Sequence, residues 1–180
     1  MLPETLRTDR LELRPFASSD AAAVFAYSSD APWAKYQTTP HPYSEAEAER
    51  FVADLILRDR SMKPCWAITS DAEVIGIVSL AFDADHRIVV LGYGIQTLHW
   101  GKGLVGEAVS VVLDQSFECY PILSKVRAHT DARNGGSIRV LTKLGFSHEG
   151  TLRANQFSKG EYVDEAIYGL LRPEWEFRNR

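Results

Sequence analysis

The stretch Trp100-Gly101-Lys102-Gly103-Leu104-Val105-Gly106-Glu107-Ala108 decides how the rest of the chain is read. It follows a strand-like run, Val89-Val90-Leu91-Gly92-Tyr93-Gly94-Ile95, and an apolar-striped segment from Leu104 to Phe117 begins before the glycines end. The order is strand, tight glycine turn, helix. Glycine takes torsions closed to other residues and lets a ligand come up against the backbone. The first helical turn adds N–H groups without an intrahelical acceptor, at the positive end of the dipole. Together these suit a phosphate or pyrophosphate. Gly101, Gly103 and Gly106 also satisfy the dinucleotide pattern Gly-x-Gly-x-x-Gly, a weak signal alone. A nicotinamide site wants an alternating parallel series and an acid about 20 residues past the glycines. Here about half the chain precedes the loop, and the next strand-like run meets its first acid only at Asp131. A glycine turn that merely tightens packing is the other alternative.

Upstream, Arg10-Leu11-Glu12-Leu13-Arg14-Pro15 alternates polar and apolar residues and predicts a first strand. Ser18-Ser19-Asp20 offers N-cap chemistry for a helix over residues 21–27. Residues 30–43 carry three prolines with Trp33, Tyr36, His41 and Tyr43; such a ring-rich loop suits either a binding cleft or a staple onto the core. Ser44 and Glu47 spell a capping box. The helix it opens has Ala48, Phe51, Val52, Leu55 and Ile56 as its buried stripe and ends near Arg58. Residues 65–69 and 73–80 read as a hairpin about Ser70-Asp71-Ala72, and residues 83–86 turn the chain into the strand before the glycines, completing an antiparallel meander.

Downstream, Pro121 stops the loop helix. Residues 126–130 form a strand reached through that helix and therefore parallel to the one before it. A helix over residues 134–143 has Ile138, Leu141 and Leu144 at helical spacing and Gly145 at its C′ position. A strand from Phe146 and another over residues 161–171 meet at the bend Ser158-Lys159-Gly160, and Pro173-Glu174-Trp175 opens a short last helix. With no repeat or linker, residues 1–180 make one α+β domain.

Composition narrows the function. The 180 residues, 45% apolar and 24% charged, fit a globular domain with a substantial core. A net charge of −4 and a pI near 5.7 argue against general nucleic-acid affinity. No apolar run approaches the ~18 residues of a membrane span, and Met1-Leu2-Pro3-Glu4 lacks the plan of a signal peptide. Cys65 and Cys119 have no ligand-like spacing and read as buried free thiols of a reducing cytoplasm, while five scattered histidines make no metal motif. A cytoplasmic protein without membrane, nucleic-acid or metal partner is expected.

The order of these motifs resembles the RimJ/RimL-like (ribosomal-protein N-acetyltransferase-like) branch of the GNAT superfamily. Residues 10–15 are similar to its opening strand, Gly92-Tyr93 with residues 100–108 to its acetyl-CoA loop, and Asn134, Ser137, Lys143-Leu144-Gly145-Phe146 and Glu149-Gly150 to its second signature. Gly160, Asp164, Tyr168-Gly169-Leu170-Leu171 and Glu174-Trp175 resemble its closing hairpin and helix. The likeness runs the length of the chain. It implies a mixed, mostly antiparallel sheet with helices on both faces and a splayed central parallel strand pair. It also implies direct, metal-free acetyl transfer from acetyl-CoA to a primary amine, and dimers are common in the branch. By resemblance, Gly101, Lys102, Gly103, Leu104, Val105 and Gly106 hold the pyrophosphate, with Ile95 and Asn134 along the coenzyme arm. By the same resemblance Ser137 falls on the position proposed to protonate the departing thiolate; Glu149 is a catalytic candidate as a base. Asn134 also suits a plain N-cap, and Ser137 a first-turn packing hydroxyl.

Two departures stand out. Val105 occupies a place usually held by glycine or alanine. The strand before Gly92-Tyr93 often carries an acid in this branch, and here it reads Val89-Val90-Leu91. Without that carboxylate the site suits an α-amino or similarly weakly basic acceptor, already partly neutral at pH 7, or a relay through water and backbone carbonyls. Glu149 and His129 are the two side chains that could still serve as base. The leading function is an acetyl-CoA-dependent N-acetyltransferase acting on a protein N-terminus or a small-molecule amine. The alternatives are a non-catalytic acyl-CoA-binding module on the same fold and, more distantly, NAD-linked redox chemistry. Residues 30–43, 83–86 and 158–160 are expected to choose the acceptor.

Overall fold

A computed structural model describes residues 1–178, and in it eight strands form one sheet. They are β1 (Leu6–Arg7), β2 (Glu12–Arg14), β3 (Cys65–Ser70), β4 (Glu73–Phe82), β5 (Ile88–Ile95), β6 (Lys125–Asp131), β7 (Ser147–Ser158) and β8 (Glu161–Leu171). Their order across the sheet is β1-β2-β3-β4-β5-β6-β8-β7. The pairings are antiparallel except β5 with β6, which is parallel because a helix carries the chain from one to the other. That parallel ladder is short, from Ile88 opposite Lys125 to Leu91 opposite Ala128. Beyond it β5 continues to Ile95 against β4, and β6 to Asp131 against β8. Each strand follows its antiparallel neighbour, and a gap opens between them.

Strand alternation sends side chains to two cores. Trp66 and Ile68 of β3 pack in one cluster with Val109, Val112 and Leu113 of α4 (Leu104–Cys119), Leu141 of α5 (Gly135–Lys143) and Trp175 of α6 (Arg172–Arg178). Cys65 and Ala67 face the other way. They pack with Val24 and Tyr27 of α1 (Ala21–Ser28), Trp33 of α2 (Ala31–Ala34) and Val52 of α3 (Glu45–Leu57). Helices therefore cover both faces, as the resemblance implies. The Ser44–Glu47 capping box is formed, with Glu47 N–H donating to Ser44 Oγ and Ser44 N–H donating to Glu47.

Several local expectations change. The strand over residues 10–15 is shorter, and β1 precedes it, two residues long and without a readable pattern. Ile56 is 46% exposed, because Ala48, Val52 and Leu55 set the buried line and the next residue is rotated about 100° off it. A turn of helix, α2, lies inside the ring-rich loop with Pro32 in its first turn.

Asp20 does not cap α1 with its side chain. Its carboxylate instead takes two hydrogen bonds from Arg14, both 2.8 Å, and one from Ala17 N–H at 2.8 Å. Burial raises its pKa, but those hydrogen bonds and the Arg14 charge outweigh burial and hold it below the usual carboxylate value. A depressed folded-state pKa adds stability that is present above the unfolded value, near 3.9, and is lost as pH falls through the folded one. Asp20→Asn is expected to lower stability at pH 7 by about 2 kcal/mol, less than for a fully buried pair, since Arg14 is 29% exposed. The variant should also lose less stability than wild type between pH 5 and 2. Denaturant unfolding across that range checks both; equal acid sensitivity would rule the pair out as the source.

Candidate active site

The glycine loop lies between the end of β5 and α4. Gly101 and Gly103 have φ of +76° and +78°, left-handed values that a side chain disfavours. Gly103 is the N-cap of α4 and offers no side chain to it; the helix's first backbone bond runs from Glu107 N–H to the Gly103 carbonyl at 3.1 Å. The N–H groups of Leu104, Val105 and Gly106 thus have no acceptor within the helix. A Cβ built on Gly101 or Gly106 meets nothing within 4 Å, so the space over the loop is open. Leu104 is buried at 6% exposure, and Val105 packs its side chain against the main core. A branched residue at position 105 is therefore compatible with an open loop. Lys102 is exposed. Ile95 ends β5 buried, its carbonyl accepting from Trp100 Nε1 at 3.0 Å.

A clamp from the far end of the sheet fixes this loop. Arg10 Nη1 donates to the Lys102 carbonyl at 3.2 Å, and Arg10 Nε donates to Glu107 Oε2 at 2.7 Å. The Thr8 hydroxyl donates to the other Glu107 oxygen. Burial raises the Glu107 pKa, but the Thr8 and Arg10 contacts outweigh it and lower it. Glu107 is thus charged yet matched by a guanidinium, which keeps the helix start receptive to an anion.

Beneath the splay, β5 and α5 meet. Tyr93 Oη lies 2.9 Å from Ser137 Oγ and donates to the Ser137 carbonyl at 3.2 Å. Burial pushes the Tyr93 phenol up to about 12, with the Ser137 contact acting against it. Asn134 caps α5 by accepting Ser137 N–H on Oδ1 at 3.1 Å; its amide nitrogen takes no part in the cap. Loop, splay, Asn134 and Ser137 lie along one side of the sheet, that of α4 and α5. Tyr93 was not singled out as a site residue from the sequence. Its signal was its place in Gly92-Tyr93, which resembles part of the family's acetyl-CoA loop.

Glu149 is not brought to this group. It is the extra residue of a bulge in β7, and its Oε1 accepts from Lys125 Nζ at 2.5 Å. Lys125 pairs with Ile88 at the closed end of the parallel ladder. Glu149 Oε1 also sits 2.3 Å from where a Gly169 Cβ would lie, on the face turned away from Val126 and Ala128. It therefore sits at the closed end of the ladder, on the face opposite Ser137.

That second face of the splay has its own walls. Trp33 packs over Gly94, where an added Cβ would come within 3.3 Å of the indole, and Asp30 accepts from Thr97 Oγ1 at 2.7 Å. Lys159, at the β7–β8 bend, donates to the Gln37 carbonyl and so ties the bend to the ring-rich loop. A cavity of about 20 Å³, room for one water, lies between Lys35, Tyr36, Asp131, Arg133 and Lys159. Two of the three segments expected to choose the acceptor thus meet at the mouth of the splay. The third, residues 83–86, sits elsewhere: His86 stacks on Tyr120 at 5.3 Å, below the closed end of the ladder. Among the described residues no group of three His, Cys, Asp or Glu is placed to hold a metal ion, and no helix is long and apolar enough to cross a membrane.

The family model described as an acetyltransferase (GNAT) domain matches residues 10–147. The uncharacterized N-acetyltransferase p20 of Bacillus licheniformis is 31% identical over 177 residues, 96% of this chain and 98% of that protein. Spermidine N(1)-acetyltransferase of Escherichia coli K12 is 28% identical over 153 residues, 84% of this chain and 81% of that one. A solved structure of RimL, a ribosomal L7/L12 alpha-N-protein acetyltransferase, in complex with coenzyme A, has the same fold. Its TM-score is 0.82 at 19% identity, over 93% of this chain and 98% of that chain.

Proposed function

The chain belongs to the GNAT acetyltransferase family, and on that premise we propose that it transfers acetyl directly from acetyl-CoA to a primary amine of low basicity, such as a protein α-amino terminus, as the branch it resembles would. The observation that carries this reading is the glycine loop, whose open N–H groups at the start of α4 lie on the same side of the sheet as the Tyr93–Ser137 pair. Backbone donors at residues 103–106, with Lys102, would hold the pyrophosphate. The edges of β5 and β6 beyond Leu91 and Ala128 have lost their ladder to each other. They suit an amide-bearing arm that pairs with a strand edge, with Ile95 and Asn134 alongside. When bound, the cosubstrate supplies an activated thioester.

The protein's own part is positioning and proton handling. Asn134 orients the start of α5, so that Ser137 presents a hydroxyl backed by Tyr93. That hydroxyl would protonate the departing sulfur, a role that acts mainly in the transition state. Glu149, held by Lys125, is assigned to the hairpin's structure. The absence of a carboxylate in β5 favours an acceptor that is partly neutral already, an α-amine rather than a lysine side chain. The polyamine in the name of the E. coli relative makes spermidine the obvious contrast.

Two measurements test this. Coenzyme A at a hundredfold above its Kd is expected to add about 2.7 kcal/mol of stability, roughly 5–10 °C in Tm for a domain of this size. No shift at millimolar coenzyme A would remove the premise of the site. Thiol release from acetyl-CoA with a short α-amino peptide, a lysine analogue and spermidine then ranks the acceptors. A clear preference for spermidine or the lysine analogue would overturn the acceptor class, and thermal protection without turnover of any amine would leave only binding.

A further inference from the structure

Val126 and Ala128 of β6 are buried against the helices, so Arg127, His129 and Asp131 lie on the opposite face, the one shared with Gly92 and Gly94 of β5. His129 is the first β6 residue past the last rung of the parallel ladder. It therefore stands where the strands begin to part, on the face walled by Trp33. Its Nδ1 is 3.4 Å from Glu165 Oε1 on β8. The other oxygen of Glu165 accepts from Asn155 Nδ2 of β7 at 2.7 Å. The Glu165 side chain is 16% exposed and the imidazole 37%, so a sheltered carboxylate orients a ring that solvent and an acceptor can reach.

The other charges near this chain are matched elsewhere. Asp131 is gripped by Arg133, which also holds Glu161, and Lys35 adds a further positive field on Asp131. Arg127 is exposed one turn of the pleat below. Glu165 is the carboxylate left facing the imidazole. A neutral amide on its second oxygen steadies it without cancelling its charge.

We propose that His129 is the base that takes the proton from the acceptor nitrogen, with Glu165 and Asn155 as its positioning residues; this rests on the acetyl-transfer reading above. The neutral tautomer with its proton on Nδ1, facing Glu165, leaves Nε2 as an acceptor. The neutral amine forms a C–N bond to the thioester carbonyl carbon and the C–S bond breaks. Nε2 takes the proton that the nitrogen sheds. The sulfur gains its proton from the Ser137 hydroxyl, which refills through Tyr93 from solvent, and the imidazolium returns its proton to solvent. The sum is amine plus acetyl thioester giving amide plus thiol. Acid and base thus stand on opposite faces of one gap.

The test uses the full chain, acetyl-CoA and whichever amine of the panel the wild type turns over. His129→Gln is expected to lower kcat about 100-fold, with the acetyl-CoA KM and Tm unchanged. Added imidazole should restore part of the activity of His129→Ala. Glu165→Gln should lower kcat about tenfold with the acetyl-CoA KM unchanged, and Glu165→Asp should restore part of the loss. Wild-type kcat in His129→Gln, wild-type kcat in Glu165→Gln, or a loss in His129→Ala that imidazole does not rescue would each overturn the assignment. A wild type that acetylates no amine would instead refute the acetyl-transfer reading, so the two failures are separable.

Discussion

Replacing Gly103 by valine is expected to weaken coenzyme A binding at least a hundredfold while leaving the fold intact. The reason is torsional rather than steric. A Cβ at position 103 would meet only Arg10 Nη2, 3.8 Å away, but φ is +78°. A β-branched residue resists that conformation by roughly 1–3 kcal/mol. The loop can relieve the strain by rotating, and in doing so it turns the N–H groups of residues 103 and 104 away from their common target. Losing two hydrogen bonds to a charged group, about 1.5–3 kcal/mol each, corresponds to 10²–10⁴ in Kd. Calorimetric titration of the variant decides it. An unchanged Kd would mean that the phosphates bind elsewhere.

The second large effect is expected at the hydroxyl pair. Ser137→Ala should lower kcat by about 10²-fold, toward the low end of the range for proton donors because a thiolate leaves readily, with little change in acetyl-CoA affinity. Tyr93→Phe removes the partner 2.9 Å from Ser137 Oγ and should cost a comparable factor. If the two act as one relay, the double variant will be scarcely slower than the worse single one. Multiplicative losses would show two independent roles, and an unaltered kcat in Ser137→Ala would return it to packing at the start of α5. Because burial pushes the Tyr93 phenol up to about 12, the relay stays protonated through the neutral range, and no alkaline limb from it is expected below about pH 10.

What the sequence revealed tracks what is local. The Ser44–Glu47 box, the glycine stop at position 145 and the strand–loop–helix around Gly103 are set by neighbours a few residues apart, and each is formed. The parallel β5–β6 pair was readable because a helix must cross between such strands. Side-chain contacts that depend on how the chain turns back on itself were not readable. Nothing near Asp20 shows that Arg14 will outcompete the cap of α1, and nothing near Glu149 shows that a bulge will turn it onto Lys125. Tyr93 with Ser137, and His129 with Glu165, are 44 and 36 residues apart, and only the register of the sheet brings each pair together. The walls of the splay are similarly non-local, because Trp33 reaches Gly94 only through the packing of α2.

The clamp of Thr8 and Arg10 on Glu107 makes the amino-terminal edge of the sheet a distant sensor of the loop. Strands β1 and β2 are only two and three residues long, so this edge should open by local fraying more readily than the central strands. Arg10 holds the Lys102 carbonyl only while the edge is closed. Any ligand that prefers the ordered loop must therefore slow amide exchange at residues 6–13, some ninety positions away in the chain. The coupling is reciprocal: trimming the first ten residues would loosen the loop without touching it, and a cosubstrate bound there would act as a fastener for the start of the chain.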